Sequence, residues 1–600
     1  MATPTRVAPP QQRPGQRRPP MPPQGPRIVQ LKNPHRRMRW VMAWFLFAMS
    51  IFGARLVDLQ VIHGPTLAAT AENSRLQTST LPALRGMITD INGVPIATTV
   101  MARNITTDQR LIQDPHATAL ALAPILGMDP KRIEKRITGK RVFAYVTKGV
   151  TPEKWKQVAE LGLPGIYSEP TTKRLYPAGQ LAASIVGYVG GEGHGLGGLE
   201  YALDKQLGGI DGKQTVERVD GREIPTSEKQ SIEAIDGQTV RLTIDRDLQA
   251  LAERTLAQRI KTAKAEGGDV VVIDPRTGNI LAMATSPTFD PNVPYKTDDH
   301  DKRNEAVTDS FEPGSTGKIL TMAAVIEEGK ANPMTKFTIP SGLKRGGTMF
   351  HDHEPHGTLH LTLNGVLAQS SNMGSILAAE KIGSKKWLAY AKKFGIGSKS
   401  GLRFPGEAAG ILPDPKNENQ WSGTTFPTLA FGQGYSVTAL QVASVYATIA
   451  NDGVRMTPRL IDGFTNPDGT QSQAAPSEGT RVVSATTAKT VREMLESVVG
   501  PQGTAPDAKI PGYRVAGKTG TANRFSDKTG GYSGFTSSFV GFAPAENPSL
   551  VIAVMIHNPK NGHWGSTVAA PVWRTVMTYA LAQQKVPPST TKPPKMRVKW

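Results

Sequence analysis

Ser315 and Lys318 stand three residues apart in Phe311-Glu312-Pro313-Gly314-Ser315-Thr316-Gly317-Lys318, just ahead of the apolar run Ile319 to Ile326. Pro and Gly mark a turn and the apolar run marks a buried helix. The serine therefore opens a helix, and the lysine shares its face at hydrogen-bonding range. A serine hydroxyl is a weak nucleophile at neutral pH and needs a base. A lysine stripped of water can lose its charge and be that base. The helix amino-terminus adds positive potential where an acyl oxyanion would develop. The plainer reading is a serine cap followed by a surface lysine.

Two further stretches carry chemistry. Ser370-Ser371-Asn372 follows the helix-like Leu363 to Leu367. A hydroxyl and an amide two positions apart can relay a proton and hold a substrate amide; alone, the stretch is equally a polar loop. In Val515-Ala516-Gly517-Lys518-Thr519-Gly520-Thr521-Ala522, small residues suggest a strand with a ligand backbone close beside it. Lys518 could hold a carboxylate or polarise the proton relay, and Thr519 could hydrogen-bond that carboxylate. The backbone N–H groups of Thr521 and Ser315 could form an oxyanion hole. A phosphate loop competes, but its earlier glycine is missing.

These side chains need a scaffold. Thr239 to Ile244 reads as a strand, and Asp247 to Lys264 as a helix with Leu248, Leu251, Ala252, Leu256 and Ile260 at helical spacing. Val270 to Ile273 and Ile280 to Ala284 flank Asp274-Pro275-Arg276-Thr277-Gly278-Asn279 as a β-hairpin. A helix, two strands and a long helical middle predict an α+β fold with an antiparallel sheet. Upstream, short β-like stretches alternate with turn signals such as Gly93, Pro95, Gly190-Gly191 and Gly208-Gly209. Composition changes near Asp236-Gly237. The expected organisation is a disordered tail 1–38, an anchor 39–62, a β-rich domain 63–235, a catalytic domain 236–585 and a flexible Pro- and Lys-rich tail 586–600.

Of the formal net charge of +20, residues 1–39 hold nine Arg or Lys and no acidic residue. This flank precedes the charge-free run Trp40 to Ala54 and a further apolar pattern through Ile62, broken by Arg55 and Asp58. Arg55 and Asp58 can pair on one helical face. A basic flank before an apolar run keeps that flank cytoplasmic, so the bulk of the chain is expected outside the cell membrane. No small-x-small cleavage site argues for a removed signal peptide. The basic tail lacks interleaved aromatics and no nucleic-acid motif is present, which excludes that class of partner. Cysteine is absent, so no disulfide, thiolate metal site or cysteine nucleophile exists.

Taken in order, Ser-x-x-Lys, Ser-x-Asn and Lys-Thr-Gly form the set shared by penicillin-binding proteins and class A β-lactamases. Gly432-Gln433-Gly434 and Ser537-Ser538-Phe539-Val540-Gly541-Phe542-Ala543-Pro544 extend the match. Upstream, Arg85-Gly86-Met87-Ile88-Thr89-Asp90-Ile91-Asn92-Gly93 and Arg174-Leu175-Tyr176-Pro177 with Gly187-Tyr188-Val189-Gly190 look like pedestal motifs that β-lactamases lack. From the anchor to about residue 585 the chain resembles a class B penicillin-binding protein.

The resemblance implies a pedestal, or dimerisation-type, domain and a transpeptidase domain with a five-stranded antiparallel sheet beside an all-helical region. It implies that Ser315 attacks the penultimate D-alanine of a stem peptide, with Lys318 as base. Ser370 and Lys518 would return the proton to the leaving D-alanine. Asn372, Thr519, Gly520 and Thr521 would bind substrate. β-Lactams would acylate Ser315, and no cofactor is implied. The long basic tail, compact pedestal and absence of carboxyl-terminal repeats favour the cell-division (FtsI) type over the elongation type. Division-type members work with a polytopic glycan polymerase, which makes one an expected partner.

His351-Asp352-His353-Glu354-Pro355-His356 with His360 resembles a metal cluster, but the resemblance places only a loop there. A hydrolase would need a β-lactamase-like Glu-x-x-Leu-Asn stretch, which is missing. A β-lactam sensor would need several spans and a His-Glu-x-x-His protease, also missing. A scaffold with dispensable catalysis is disfavoured by the intact motifs.

Overall fold

The computed structural model describes residues 34–67, 76–219, 222–223, 230–526 and 530–600. Most of the expected basic tail lies outside them. The chain divides into two units, Met1–Thr78 with Thr215–Lys229, and Ser79–Gln214 with Gln230–Trp600.

In the first unit, helix α1 spans Pro34–Val57 and continues as one wider turn, Asp58–Ile62. The helix thus starts before residue 39, at a proline whose fixed φ suits a first helical position. Its 24 residues extend about 36 Å at 1.5 Å each, enough for a bilayer core. His35–Ile62 has a mean hydropathy of 1.7 in its most apolar window. Arg55 Nη1 meets Asp58 Oδ2 at 2.5 Å, as the spacing predicts.

The second unit begins with the pedestal. Strands β1 (Ile88–Thr89), β2 (Pro95–Thr107), β3 (Ala144–Val150) and β4 (Ile166–Leu175) form an antiparallel set in which β2 pairs with the other three. Helices Pro115–Leu126, Pro130–Ile137 and Pro152–Glu160 flank it, each opened by a capping Asp or Thr and then a proline. Ile105, Leu122, Ile133, Val146 and Val158 bury a small separate core between them. Arg85 and Arg174, from the two pedestal motifs, converge on the fully buried Glu200 at 2.6 and 2.7 Å.

Strand β5 (Thr239–Leu242) pairs parallel with β1 and antiparallel with Ile461–Thr465. One sheet therefore runs from the pedestal into the catalytic half. Helix α2 (Arg246–Ala263) leads to the hairpin β6 (Gly267–Ile273) and β7 (Ile280–Ser286). A helical middle follows: α3 (Lys318–Glu327), α4 (Leu363–Ala368), α5 (Asn372–Glu380), α6 (Ala439–Ala450) and α7 (Ala485–Val499). Strands β8 (Ala516–Ser526), β9 (Gly531–Ala543) and β10 (Leu550–His557) precede α8 (Ala570–Gln583). The sheet order is β7-β6-β10-β9-β8, antiparallel throughout. Every residue of β6 and β10 is buried, so both faces of the central strands are covered. Every residue of α6 is buried too, and its few polar side chains, among them Gln441 and Tyr446, are hydrogen-bonded.

Residues 586–600 correct one expectation. They dock instead of fraying: Leu361 bridges Lys599, Thr362 N–H donates to Val598 O at 3.0 Å, and Val598 is buried. Met596, Val598 and Trp600 alternate with Arg597 and Lys599, a period-two pattern masked by the preceding prolines.

Candidate active site

Ser315 sits in a single 3₁₀ turn, Gly314–Gly317, that runs into α3. Gly314 N–H donates to Gly432 O at 2.8 Å. Gly432 has φ +95°, and a Cβ there would lie 1.8 Å from Gly314 O, so only glycine lets the two loops touch. Tyr446, on α6, donates its hydroxyl to Thr316 O at 3.0 Å. The nucleophile candidate is thus held from below and beside.

Ser370 lies just past α4 with φ +60°, a left-handed conformation that costs a non-glycine residue about 1 kcal/mol or more. Next to it, Ser371 caps α5, accepting from Gly374 N–H at 2.9 Å and donating to Asp352 Oδ2 at 2.6 Å. Asp352 Oδ1 also accepts from Met373 N–H at 2.9 Å. Asp352 thereby fixes the loop that aims Ser370 and Asn372. The sequence marked Asp352 only as one member of the histidine-rich run 351–360.

Lys518 to Thr521 lie on β8 opposite Val540, Phe539, Ser538 and Ser537 of β9. A Cβ on Gly520 would lie 2.4 Å from Ser538 Oγ and 3.0 Å from Thr316 Cγ2, so β8 closes against the Ser315 turn only because that residue is glycine. Thr519 Oγ1 meets Thr504 Oγ1 at 2.8 Å, a partner outside every recognised motif.

The three motifs close into one network. Lys318 Nζ lies 3.0 Å from Ser315 Oγ, 2.5 Å from Ser370 O, 3.1 Å from Ser370 Oγ and 2.8 Å from Asn372 Oδ1. Ser370 Oγ lies 2.9 Å from Ser315 Oγ and 2.9 Å from Lys518 Nζ. Both lysines are fully buried. Burial pulls Lys318 down to about 7, with Asp352 partly opposing, and pulls Lys518 well below its ordinary value, helped by the charge of Lys318.

Donor bookkeeping then orients the protons. Ser370 O and Asn372 Oδ1 accept only, so a neutral Lys318 donates its two N–H bonds to them. Its lone pair is left for the Ser315 hydroxyl. Ser370 can donate to Ser315 while accepting from Lys518. The chain Lys518–Ser370–Ser315–Lys318 can therefore pass a proton in either direction.

Of the expected site residues, Ser315, Lys318, Ser370, Asn372 and Lys518 share this network, with Thr519, Gly520 and Thr521 beside it. The Thr521 side chain turns away, its hydroxyl 3.4 Å from His563 O. The His351–His360 run does not converge. His351 meets Ser341 O, His353 packs on Trp564, His356 meets Asp352 and His360 packs on Trp600. Among the described residues, buried Asp269, Glu305 and His557 do converge, but the His557 ring nitrogens already face Asp269 and Arg524 at 2.9 Å each.

Residues 268–578 match the penicillin binding protein transpeptidase domain, and residues 80–242 the penicillin-binding protein dimerisation domain. The chain is 35% identical over 583 residues to penicillin-binding protein PbpB of Mycobacterium tuberculosis, covering 92% of this chain and 85% of that one. It is 32% identical over 553 residues to peptidoglycan D,D-transpeptidase FtsI of Escherichia coli, covering 90% and 91%. A crystal structure of penicillin binding protein 3 from Mycobacterium tuberculosis, complexed with ampicillin, superimposes with a TM-score of 0.69 at 34% identity over 87% of this chain and all of that one. With pedestal and catalytic halves matched together, the chain belongs to the class B penicillin-binding proteins of the FtsI type and is a serine-type peptidoglycan D,D-transpeptidase.

Proposed function

We propose that Ser315 is the acylated nucleophile, Lys318 its base, and Ser370 with Lys518 the path that returns the proton. The observation that carries this reading is the buried Lys318 amine, 3.0 Å from Ser315 Oγ, with its two N–H bonds engaged by acceptors. Lys318 takes the Ser315 proton as Oγ bonds to the carbonyl carbon of the penultimate D-alanine. The N–H groups of Ser315 and Thr521 stabilise the oxyanion. The amide C–N bond then breaks, and D-alanine leaves with a proton delivered through Ser370. Lys518 and Thr519 hold the terminal carboxylate, Asn372 holds a substrate amide, and Gly520 lets the substrate backbone approach β8. The amine of a second stem peptide attacks the ester, its proton retraces the path, and Ser315 is released.

β-Lactams follow the first half of this path, and the neighbouring structure complexed with ampicillin supports the same expectation for this chain. The role we assign is septal wall synthesis, with the catalytic domain outside the membrane and the basic tail inside. The FtsI relative and the charge-free run behind nine basic residues support it. A polytopic glycan polymerase would be the partner.

The test supplies purified full-length chain with a stem peptide ending in D-Ala-D-Ala and measures released D-alanine. Release should vanish in Ser315→Ala while its melting profile stays that of the parent. Undiminished release would remove the assignment.

A further inference from the structure

Ser370 and Lys518 touch at 2.9 Å but come from different parts of the fold, one past a helix of the helical region, the other on an edge strand. Residues 586–600 bind the chain leading into each.

One end grips the entry to β8. Val586 O accepts from the Tyr513 hydroxyl at 2.7 Å. Ser589 N–H donates to Gly512 O at 2.9 Å, and Ser589 Oγ accepts from Arg514 N–H at 2.9 Å. Thr591 Oγ1 accepts from Arg514 Nη1 at 2.7 Å. Arg514 stands four residues before Lys518.

The other end grips the start of α4, which stops two residues before Ser370. Arg597 O accepts from Thr362 Oγ1 at 2.6 Å, and Val598 O from Thr362 N–H at 3.0 Å. Trp600 Nε1 donates to Leu361 O at 3.1 Å, and its ring packs edge-on against His360 with centroids 4.8 Å apart. A Cβ on Gly365 would lie 1.9 Å from Val598 O, so α4 accepts the segment only at a glycine.

Between its two anchorages the segment touches the main core through Met596. Pro593 to Met596 form one wall of a cavity of about 1400 Å³, whose other walls include α7, α8 and Ile510 to Val515. Pro587, Pro588, Pro593 and Pro594 stiffen the segment, and proline-rich segments act as semi-rigid spacers.

We propose that residues 586–600 are a positioning strap that sets the distance between Ser370 and Lys518, and hence the rate of acylation. The proposal rests on the reading of that pair as the proton path. A spacer of this kind acts on the chemical step and leaves ligand recognition by the rest of the cleft intact.

The test measures acylation of full-length chain by a fluorescent penicillin across concentrations, separating the initial dissociation constant from the acylation rate constant. In a chain ended at Thr591 the rate constant should fall at least tenfold, with the dissociation constant within twofold of the parent. A synthetic peptide of residues 592–600, added in excess, should not restore it, because a strap works only when one chain joins both anchorages; full rescue would overturn the spacer. Trp600→Ala, which keeps the strap's length, should lower the rate constant at least threefold with the same split, and decides the matter if the shortened chain does not fold. Parental rate constants in both variants, or a loss confined to the dissociation constant, would overturn the strap. Ser370→Ala separates the two ideas: a parental rate there removes the proton path, whereas slow Ser370→Ala beside fast strap variants removes the strap alone.

Discussion

At the scale of single residues, the proposed chemistry depends on a lysine whose charged form is disfavoured by burial. Lys318 has no exposed surface, and burial brings it to about 7. Only the neutral amine can take the Ser315 proton, so the acylation rate should climb as pH rises through about 7 and level off above it. Below that point it should drop about tenfold per pH unit. A profile flat from pH 5 to 8 would contradict the role. Lys318→Arg replaces the amine with a larger group that stays charged, and should cost about 10²–10⁴-fold in acylation, read with the same fluorescent penicillin. Every member of the network was legible from residue type and spacing, because a serine–lysine pair on one helix face has few other uses once two more motifs accompany it. Asp352 and Thr504 were not. Asp352 acts by tying Ser371 and Met373, and Thr504 by touching Thr519, contacts made across folded loops.

At the scale of elements, loops meet where glycine removes the side chain. Gly432→Ala would drive a Cβ into Gly314 O and strain a backbone at φ +95°. It should displace the Ser315 turn and cut acylation at least tenfold, with a smaller effect on the melting temperature; unchanged acylation would show that this contact does not position Ser315. The β6–β7 hairpin and α2 fall where periodicity places them, since β-branched runs and helical spacing are local properties. The left-handed backbone of Ser370 is not local information, because it is set where α4 ends beside the loop that Asp352 ties. The strap was missed for a related reason: its prolines read as disorder, while its partners at Leu361 to Gly365 are over two hundred residues away in sequence.

At the scale of the whole molecule, the pedestal and catalytic half of the second unit share a sheet through β5, so the composition change near residue 236 falls just before the strand that joins them. The pedestal is organised by a buried charge. Glu200 takes up both Arg85 and Arg174, and Glu200→Ala would leave Arg174 without a carboxylate and Arg85 with Asp204 alone. That should destabilise the chain by about 3–5 kcal/mol in denaturant unfolding; a change under about 1 kcal/mol would show that the motif arginines find other partners. The cell-division assignment predicts that a fluorescent fusion gathers at midcell, and uniform side-wall signal would favour the elongation branch. All of these roles presuppose one covalent bond. Intact-mass measurement after ampicillin treatment, followed by peptide mapping, reads it directly. A single adduct of the antibiotic's full mass is expected on the peptide bearing Ser315, absent in Ser315→Ala. An adduct on any other residue, or none at all, would contradict the Ser315 assignment.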